Sequence, residues 1–439
     1  IFGSEIKVIL AHPDVESQPN LEFLDSYVQN GAKEYIKETA FENIFRFDFS
    51  SYFEGSLEDV FENFEQNKFW EIKPNLRHEK FDKEKAKEYA KQYYELLEDA
   101  VRIRLRADVK VGSALSGGLD SSSIVYLVNK LLKEQGKEEL QETFSSVYKS
   151  DGTQECDESY FIDIMALKLG VHSNQIEPKE DEIPSQIEKM IWHLENPPDN
   201  SLMSSWHTFK LVASTDVKVT LDGQGADEQL GGYLPYLLNY ISSLSIVDMF
   251  SQAKKCLQIP NSSKYVFVGL CLGLYRVLFG EKFLKFTIKN IFKRDFETNL
   301  NKKLGIDTMG NLITLIHYAD HTSMAFSIES RMPFMDYRLV EFLASVPACY
   351  KMRDGWTKYL ARLAFDGKLP DEINWRKDKM GWPIPEKKWF YGNLNRWFIE
   401  NIESCKLSKK LSFKEKENKK FSNNIKRMNL SIWEKSFLN

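Results

Sequence analysis

The 439-residue sequence predicts an α/β protein, with an open parallel sheet covered by helices on both faces and then a mainly helical C-terminal region. Three observations carry that expectation. Short apolar runs alternate with amphipathic helical patterns from about residue 84 to Leu221. Two of those runs end in glycine-rich turns, the place where open α/β sheets bind ligands. From about Leu234 to Asn439 the pattern turns helical.

In chain order, residues 1 to about 75 are aromatic and acidic, with strand-like runs such as Ile44-Phe45-Arg46-Phe47. Residues 76–84 are charged and read as a linker. They enter a helix from about Glu84 to Arg106, where Tyr89, Tyr93, Leu97, Ala100 and Val101 recur at helical spacing. A strand is expected at Val109–Leu115, followed by Ser116-Gly117-Gly118-Leu119-Asp120-Ser121-Ser122 and a helix carrying Ile124, Val125, Val128 and Leu131. Strands at Thr143–Tyr148 and Ser173–Glu177 flank a helix at Ser159–Leu169, and one more helix crosses back before a strand at Val217–Leu221. The longest apolar stretch, Tyr265–Tyr275, is too short to span a bilayer and reads as a buried helix. The Lys-rich segment Lys406–Arg427 is interrupted by Leu407, Leu411, Phe413, Phe421 and Ile425, so it reads as a solvated helical face. The expected units are residues 1–75 and 76–439.

Composition narrows the class. Hydrophobic residues make up 42% and aromatics 13%, which excludes a disordered or collagenous chain. With 59 Lys and Arg against 64 Asp and Glu the net charge is −5, a poor basis for nucleic-acid binding. Five scattered cysteines exclude a disulfide scaffold and supply no C-x-x-C pair, so a reducing cytoplasm is expected, with no membrane association. The chain begins at Ile1 without Met, in the middle of what reads as a domain, so a longer parent protein is expected.

The turn at Ser116–Ser122 is the sharpest chemical signal. Gly117 and Gly118 let backbone approach an oxygen-rich ligand, and the following helix start offers backbone N–H groups and its positive dipole end to phosphate. Ser116, Ser121 and Ser122 can donate hydrogen bonds, and Asp120 can hold Mg2+. No G-K-[ST] follows, so it is not a Walker A loop. A second turn, Asp222-Gly223-Gln224-Gly225-Ala226-Asp227-Glu228 with Gly231-Gly232-Tyr233, follows the Val217–Leu221 strand. Gly223 and Gly225 open this loop, and Asp227 adds a second carboxylate for the same metal. Two further blocks, Ser323–Asp336 and Arg376–Trp382, place basic groups where they could face a triphosphate, or simply form charged helix surface.

The first loop resembles the signature of the ATP pyrophosphatases. All four blocks in this order resemble the synthetase domain of the glutamine-hydrolysing asparagine synthetases, and Phe2-Gly3-Ser4-Glu5-Ile6-Lys7 looks like the end region of that family's glutaminase domain. The resemblance implies an ATP-pyrophosphatase-type sheet preceded by the tail of a glutaminase domain. It implies ATP and Mg2+, a small carboxylate acceptor, and ammonia or glutamine as nitrogen source, with a homodimer left open. The expected reaction is amidation through an acyl-adenylate, in first place asparagine formation from aspartate. By the same likeness Lys379 matches the catalytic lysine, Leu115 flanks adenine, Ser116, Gly117, Gly118, Ser121, Ser122, Gly223 and Gly225 cradle the nucleotide, and Asp120 and Asp227 hold the metal. Arg331 is a further catalytic candidate, with packing against Asp336 as its structural alternative. The family's nucleophilic cysteine is missing, since the first cysteine is Cys156.

Two departures bear on the acceptor. The family's second loop carries a catalytic glutamate where this sequence has Gln224, and Asp222 replaces a serine. A neutral amide cannot act as a base toward ammonium. The segment Glu195–Ser201 also lacks the Thr and Arg pattern associated with aspartate, so no residue offers bidentate capture of an α-carboxylate. A uronic acid for a surface polysaccharide, or intramolecular closure of the β-lactam synthetase kind, are the alternative acceptor chemistries.

Overall fold

The structure, a computed structural model, describes all residues except 63, 138–140, 294, 379–380, 382, 414–419 and 439. Its principal elements begin with α1 (Leu21–Asn30), capped by Asn20, and α2 (Lys83–Arg104), capped by Asp82 through a 2.9 Å bond from the Lys85 amide. There follow β1 (Val111–Ala114), α3 (Leu119–Glu134), β2 (Glu142–Ser146), α4 (Ser159–Leu169), β3 (His172–Ile176), α5 (Ile183–Leu194), α6 (Met203–Ala213) and β4 (Val219–Leu221). The helical region holds α7 (Ala226–Leu230), α8 (Tyr236–Ser243), α9 (Ile246–Cys256), α10 (Ser263–Phe279), α11 (Glu281–Phe292) and α12 (Asn311–Met324). Beyond β5 (Glu329–Arg331) come α13 (Tyr359–Phe365) and α14 (Phe421–Phe437), with further helices between.

The five strands form one parallel sheet in the order β3-β2-β1-β4-β5. On one face α3 and α4 bury Ile124, Val125, Val128, Ile162 and Met165 with Leu115, Val219 and Leu221. On the other, Phe209 and Val212 of α6 pack on Phe144 and Val217. The chain winds outward from β1 through β2 to β3 and then returns to β4, so the strand order reverses between β1 and β4. This reversal point, where open α/β sheets bind ligands, is where the two glycine loops leave the sheet.

Several expectations change. One crossing helix was expected before β4 and there are two, separated by Asn196-Pro197-Pro198, because consecutive prolines cannot continue a helix. The fifth strand has no apolar signature, as Glu329-Ser330-Arg331 lies at the sheet edge and is polar. The apolar stretch Tyr265–Tyr275 is not buried all round: α10 buries Val266, Gly269 and Gly273, while Phe267, Val268 and Leu274 are exposed. The Ile44–Phe47 run forms only an isolated bridge between Glu38 and Phe45. Part of Lys406–Arg427 lies outside the described residues; Leu407, Leu411 and Ile425 within it are buried.

Residues before and after position 75 share a core. Phe23, Leu24, Tyr27 and Phe41 pack in one cluster with Ile187, Ile191, Trp206 and Trp433. Glu195 ties this together: its carboxylate accepts from the amides of Ile6 (2.9 Å) and Lys7 (2.8 Å), while its carbonyl takes the indole N–H of Trp433 at 2.7 Å.

Candidate active site

The two glycine loops leave the carboxyl ends of the neighbouring strands β1 and β4, and they touch. A Cβ at Gly223 would lie 3.0 Å from the Ser121 amide nitrogen and 3.2 Å from the Asp120 carbonyl carbon, so glycine lets the second loop lie close against the first turn of α3. Gly117 has φ +71 and backs onto Phe161 of α4, where a side chain would meet Cβ at 2.7 Å. The Ser121 hydroxyl braces the loop. It accepts from the Ser116 amide at 3.1 Å, lies 3.0 Å from the Ser116 hydroxyl and donates to the Gly118 carbonyl at 3.3 Å. The Ser122 hydroxyl is buried in the same turn, with no hydrogen-bond partner among the described residues. Gly118 is the N-cap of α3 and supplies no side-chain cap, so the helix start faces the loop with backbone alone. Leu115 is buried beneath: its amide donates to Phe144 (3.0 Å) and its carbonyl accepts from Ser145 Oγ (2.5 Å), so it forms the loop's floor.

Asp120 and Asp227, one from each loop, converge on a single cation. The ammonium of Lys358 lies 2.5 Å from Asp120 Oδ2 and 2.5 Å from Asp227 Oδ1, with the lysine side chain only 2% exposed. Gly232 makes the room, because a Cβ there would overlap the Asp227 carboxylate and the Lys358 stem. Lys358 takes φ +52 at the N-cap of α13, a conformation costing a non-glycine residue on the order of 1–3 kcal/mol. One turn along, the Arg362 guanidinium is buried, and burial lowers its pKa to about 10 against the opposing pull of Asp120 and Asp227. Sequence reasoning missed both residues. The available signal was Lys358 and Arg362 four apart, on one helical face just before the Arg376 block.

Two carboxylates already brought onto one cation fit a divalent metal completed by substrate phosphates, since Mg2+ is commonly held by one or two carboxylates plus phosphate. Among the described residues no group of three His, Cys, Asp or Glu side chains forms a protein-only metal site.

The remaining expected residues fall into distinct places. Gln224 sits in the second loop at intermediate exposure, beside Gly225, whose φ is +98 and whose open side faces Met335. Asp222 is buried beneath that loop and stitches the strand ends together: it accepts from Ser330 Oγ (2.5 Å), Thr220 Oγ1 (3.1 Å) and the Ala114 amide (3.3 Å), while burial raises its pKa. Glu228 follows Asp227 in α7; burial and then the Asp227 charge push its pKa up to about 7, and Tyr233 donates to it at 2.6 Å. Arg331 is turned away from the loops, donating to the carbonyls of Arg104 (2.7 Å) and Arg106 (2.8 Å) and pairing with Glu329. Its expected alternative partner Asp336 instead binds Arg104 and Arg338. Lys379 lies outside the described residues. Three positions earlier, Arg376 is anchored beside the phosphate loop, paired with Glu158 at 2.7 Å and stacked 3.7 Å from the centre of the ring of Phe161, whose Cβ abuts Gly117.

The Glu195–Ser201 segment is committed to structure. Asn196 binds the Ala40 amide, and the Pro198 carbonyl accepts from both Tyr27 and Asn429. A cavity of about 650 Å³ lies between this region and the sheet edge, with Ile6, Glu34, His317, Ser330 and Met335 on its walls. It reaches the back of the second loop, because Ser330 binds Asp222 and Met335 abuts Gly225.

Comparison with known proteins adds a family. The asparagine synthase family model matches residues 92–427. Asparagine synthetase 1 (glutamine-hydrolysing) of Bacillus subtilis strain 168 is 26% identical over 347 residues, 71% of this chain and 52% of that protein. Asparagine synthetase 3 (glutamine-hydrolysing) of the same organism is 26% identical over 429 residues, 92% of this chain and 65% of its own length. An amidase, chry2, of Gibberella zeae is 26% identical over 393 residues, 77% of this chain and 58% of that protein. The chain thus spans about half to two thirds of the length of these curated relatives.

Proposed function

The chain belongs to the asparagine synthase family, and from that premise we propose that it forms an amide from a carboxylate and ammonia through an acyl-adenylate. One observation carries the reading: two glycine loops in contact at the reversal point of a parallel sheet, each contributing one carboxylate to a shared cation site. The sheet is then of the ATP-pyrophosphatase type. A carboxylate oxygen attacks the α-phosphorus of ATP, the bond to the β-phosphate breaks, and pyrophosphate leaves. Ammonia adds to the acyl carbon, gives up a proton, and AMP departs with the former carboxylate oxygen.

In this reading Ser116, Gly117, Gly118, Ser121 and Ser122 line the phosphate site, with the start of α3 directing its dipole at the anion. Asp120 and Asp227 hold Mg2+, which when bound offsets charge on the departing pyrophosphate. Lys358 yields its place between the carboxylates and, with Arg362, keeps the pocket cationic. Lys379 is the catalytic lysine by the family resemblance, and Arg376, three positions earlier, is anchored beside the phosphate loop. Arg331 acts as a strut between β5 and the end of α2.

Residues 1–75 are read as the tail of a glutaminase unit, with ammonia arriving through the cavity behind the second loop. Aspartate is the first acceptor to test, following the names of the bacterial relatives. A non-amino-acid carboxylate such as a uronic acid is favoured by two observations: Gln224 is neutral, and Asn196 and Pro198 of the Glu195–Ser201 segment are engaged in structural hydrogen bonds. Incubation with ATP, Mg2+, ammonium and each candidate acid, followed by identification of the nucleotide product, tests the proposal. AMP and pyrophosphate that depend on one acid support it. ADP and inorganic phosphate exclude adenylation.

A further inference from the structure

We propose that the α10–α11 hairpin is a peripheral docking surface for an anionic lipid bilayer. The argument starts from how α10 packs. Its inner face carries Val266, Gly269 and Gly273, and the glycines let it lie directly on α8 and α9: a Cβ at Gly269 would meet Ile241 at 3.1 Å, and one at Gly273 would overlap Met249. That face is small because the neighbouring helices fill it. The opposite face is therefore left to solvent, and it is apolar. Phe267, Cys271, Leu274 and Leu278 recur at intervals of four, three and four, a continuous exposed stripe. Phe267 is 67% exposed and Leu278 74%.

The stripe continues around the turn at Gly280. Phe279 and Phe283 lie 6.0 Å apart, and Phe283 and Phe286 6.3 Å, in an aromatic row of exposed rings. On α11 the buried pair Leu284 and Ile288 holds the helix down, while Lys282, Phe286, Lys289 and Lys293 share an outward face.

Charge decides the occupant. Between residues 254 and 294 the sequence has nine Lys or Arg and a single Glu, in a chain whose net charge is −5. Lys285 and Lys289 are paired with Glu281, Glu297 and Asp295. Lys264, Lys282 and Lys293 have no ion-pair partner among the described residues. Exposed phenylalanines interleaved with cations suit the boundary between acyl chains and anionic headgroups, where lysine stems lie along apolar surface and their ammonium groups reach outward. No helix of the described residues is long and apolar enough to cross a membrane, so the hairpin would lie on the bilayer rather than span it.

Vesicle flotation of the full chain tests this. The chain is expected to float with vesicles of mixed phosphatidylglycerol and phosphatidylcholine and not with phosphatidylcholine alone, and to be released by raised salt. Lys282→Glu with Lys293→Glu should weaken binding by at least about thirtyfold, taking about 1 kcal/mol per lysine near the surface. Leu278→Ser with Phe279→Ser and Phe286→Ser should abolish it; all three side chains are exposed, and an unchanged melting curve verifies the fold. Failure to float with anionic vesicles, or equal binding to both vesicle types, overturns the proposal. So does sedimentation as a dimer that the triple substitution splits, since the face would then bind a second copy.

Discussion

At the scale of single residues, Gly223 and Lys358 define what the site can do. Gly223→Ala places a methyl group 3.0 Å from the Ser121 amide nitrogen and pushes the second loop off the first. ATP turnover should fall by at least about a hundredfold through misplacement, while stability falls by only about 1 kcal/mol, as steady-state kinetics and denaturant melts would record. Lys358→Met takes from the two carboxylates the buried ammonium that they share. We expect a loss of about 3 kcal/mol in urea melts at pH 8, partly restored by millimolar Mg2+ as the metal takes the vacated place. Glu228 gives a pH signature. Its folded-state pKa of about 7 lies above its unfolded value, so its contribution to stability is present in full below the unfolded pKa and is lost as pH rises through about 7. Glu228→Gln should therefore match the parent near pH 4.5 and exceed it at pH 8 by about 2 kcal/mol, measured as the difference between paired melts. Lys358 also shows where sequence reading stops. The loops were legible because their chemistry is contiguous, whereas Lys358 meets Asp120 across 238 positions and a lone lysine carries no mark of it.

At the scale of elements, β1, β2, β4 and the edge strand β3 were readable in the sequence, and the polar edge strand β5 was not. The strands β1, β2 and β4 are buried along almost their whole length because both faces of the sheet are covered there, whereas β3, at one edge, is mostly polar and only partly buried. β5 has three polar residues at the edge, and its strand character comes only from pairing with β4. For α10 the composition signalled burial, but the two glycines decide which face is inside. Gly273→Leu should lift α10 from Met249 and Ser242 and lower stability by about 2–3 kcal/mol, while Leu274→Ser on the opposite face should change it by less than about 0.5 kcal/mol. A thermal melt of each variant separates the two faces.

For the whole molecule, the order of the blocks along the chain matched a family, and the fold brings two of them, the glycine loops, into contact. What sequence did not convey is how the first residues join the rest. The expected division near residue 75 does not interrupt the packing, because Phe23, Tyr27 and Phe41 share a core with α5, α6 and α14, and Glu195 clamps Ile6 and Lys7. The central claim is that a carboxylate oxygen becomes bonded to the α-phosphorus of ATP at the paired loops. The most direct measurement is isotope transfer: the accepted acid is labelled with ¹⁸O in its carboxylate, turned over with ATP, Mg2+ and ammonium, and the nucleotide is read by ³¹P NMR or mass spectrometry. The account predicts one ¹⁸O in AMP and none in pyrophosphate. Label in inorganic phosphate alongside ADP would contradict it.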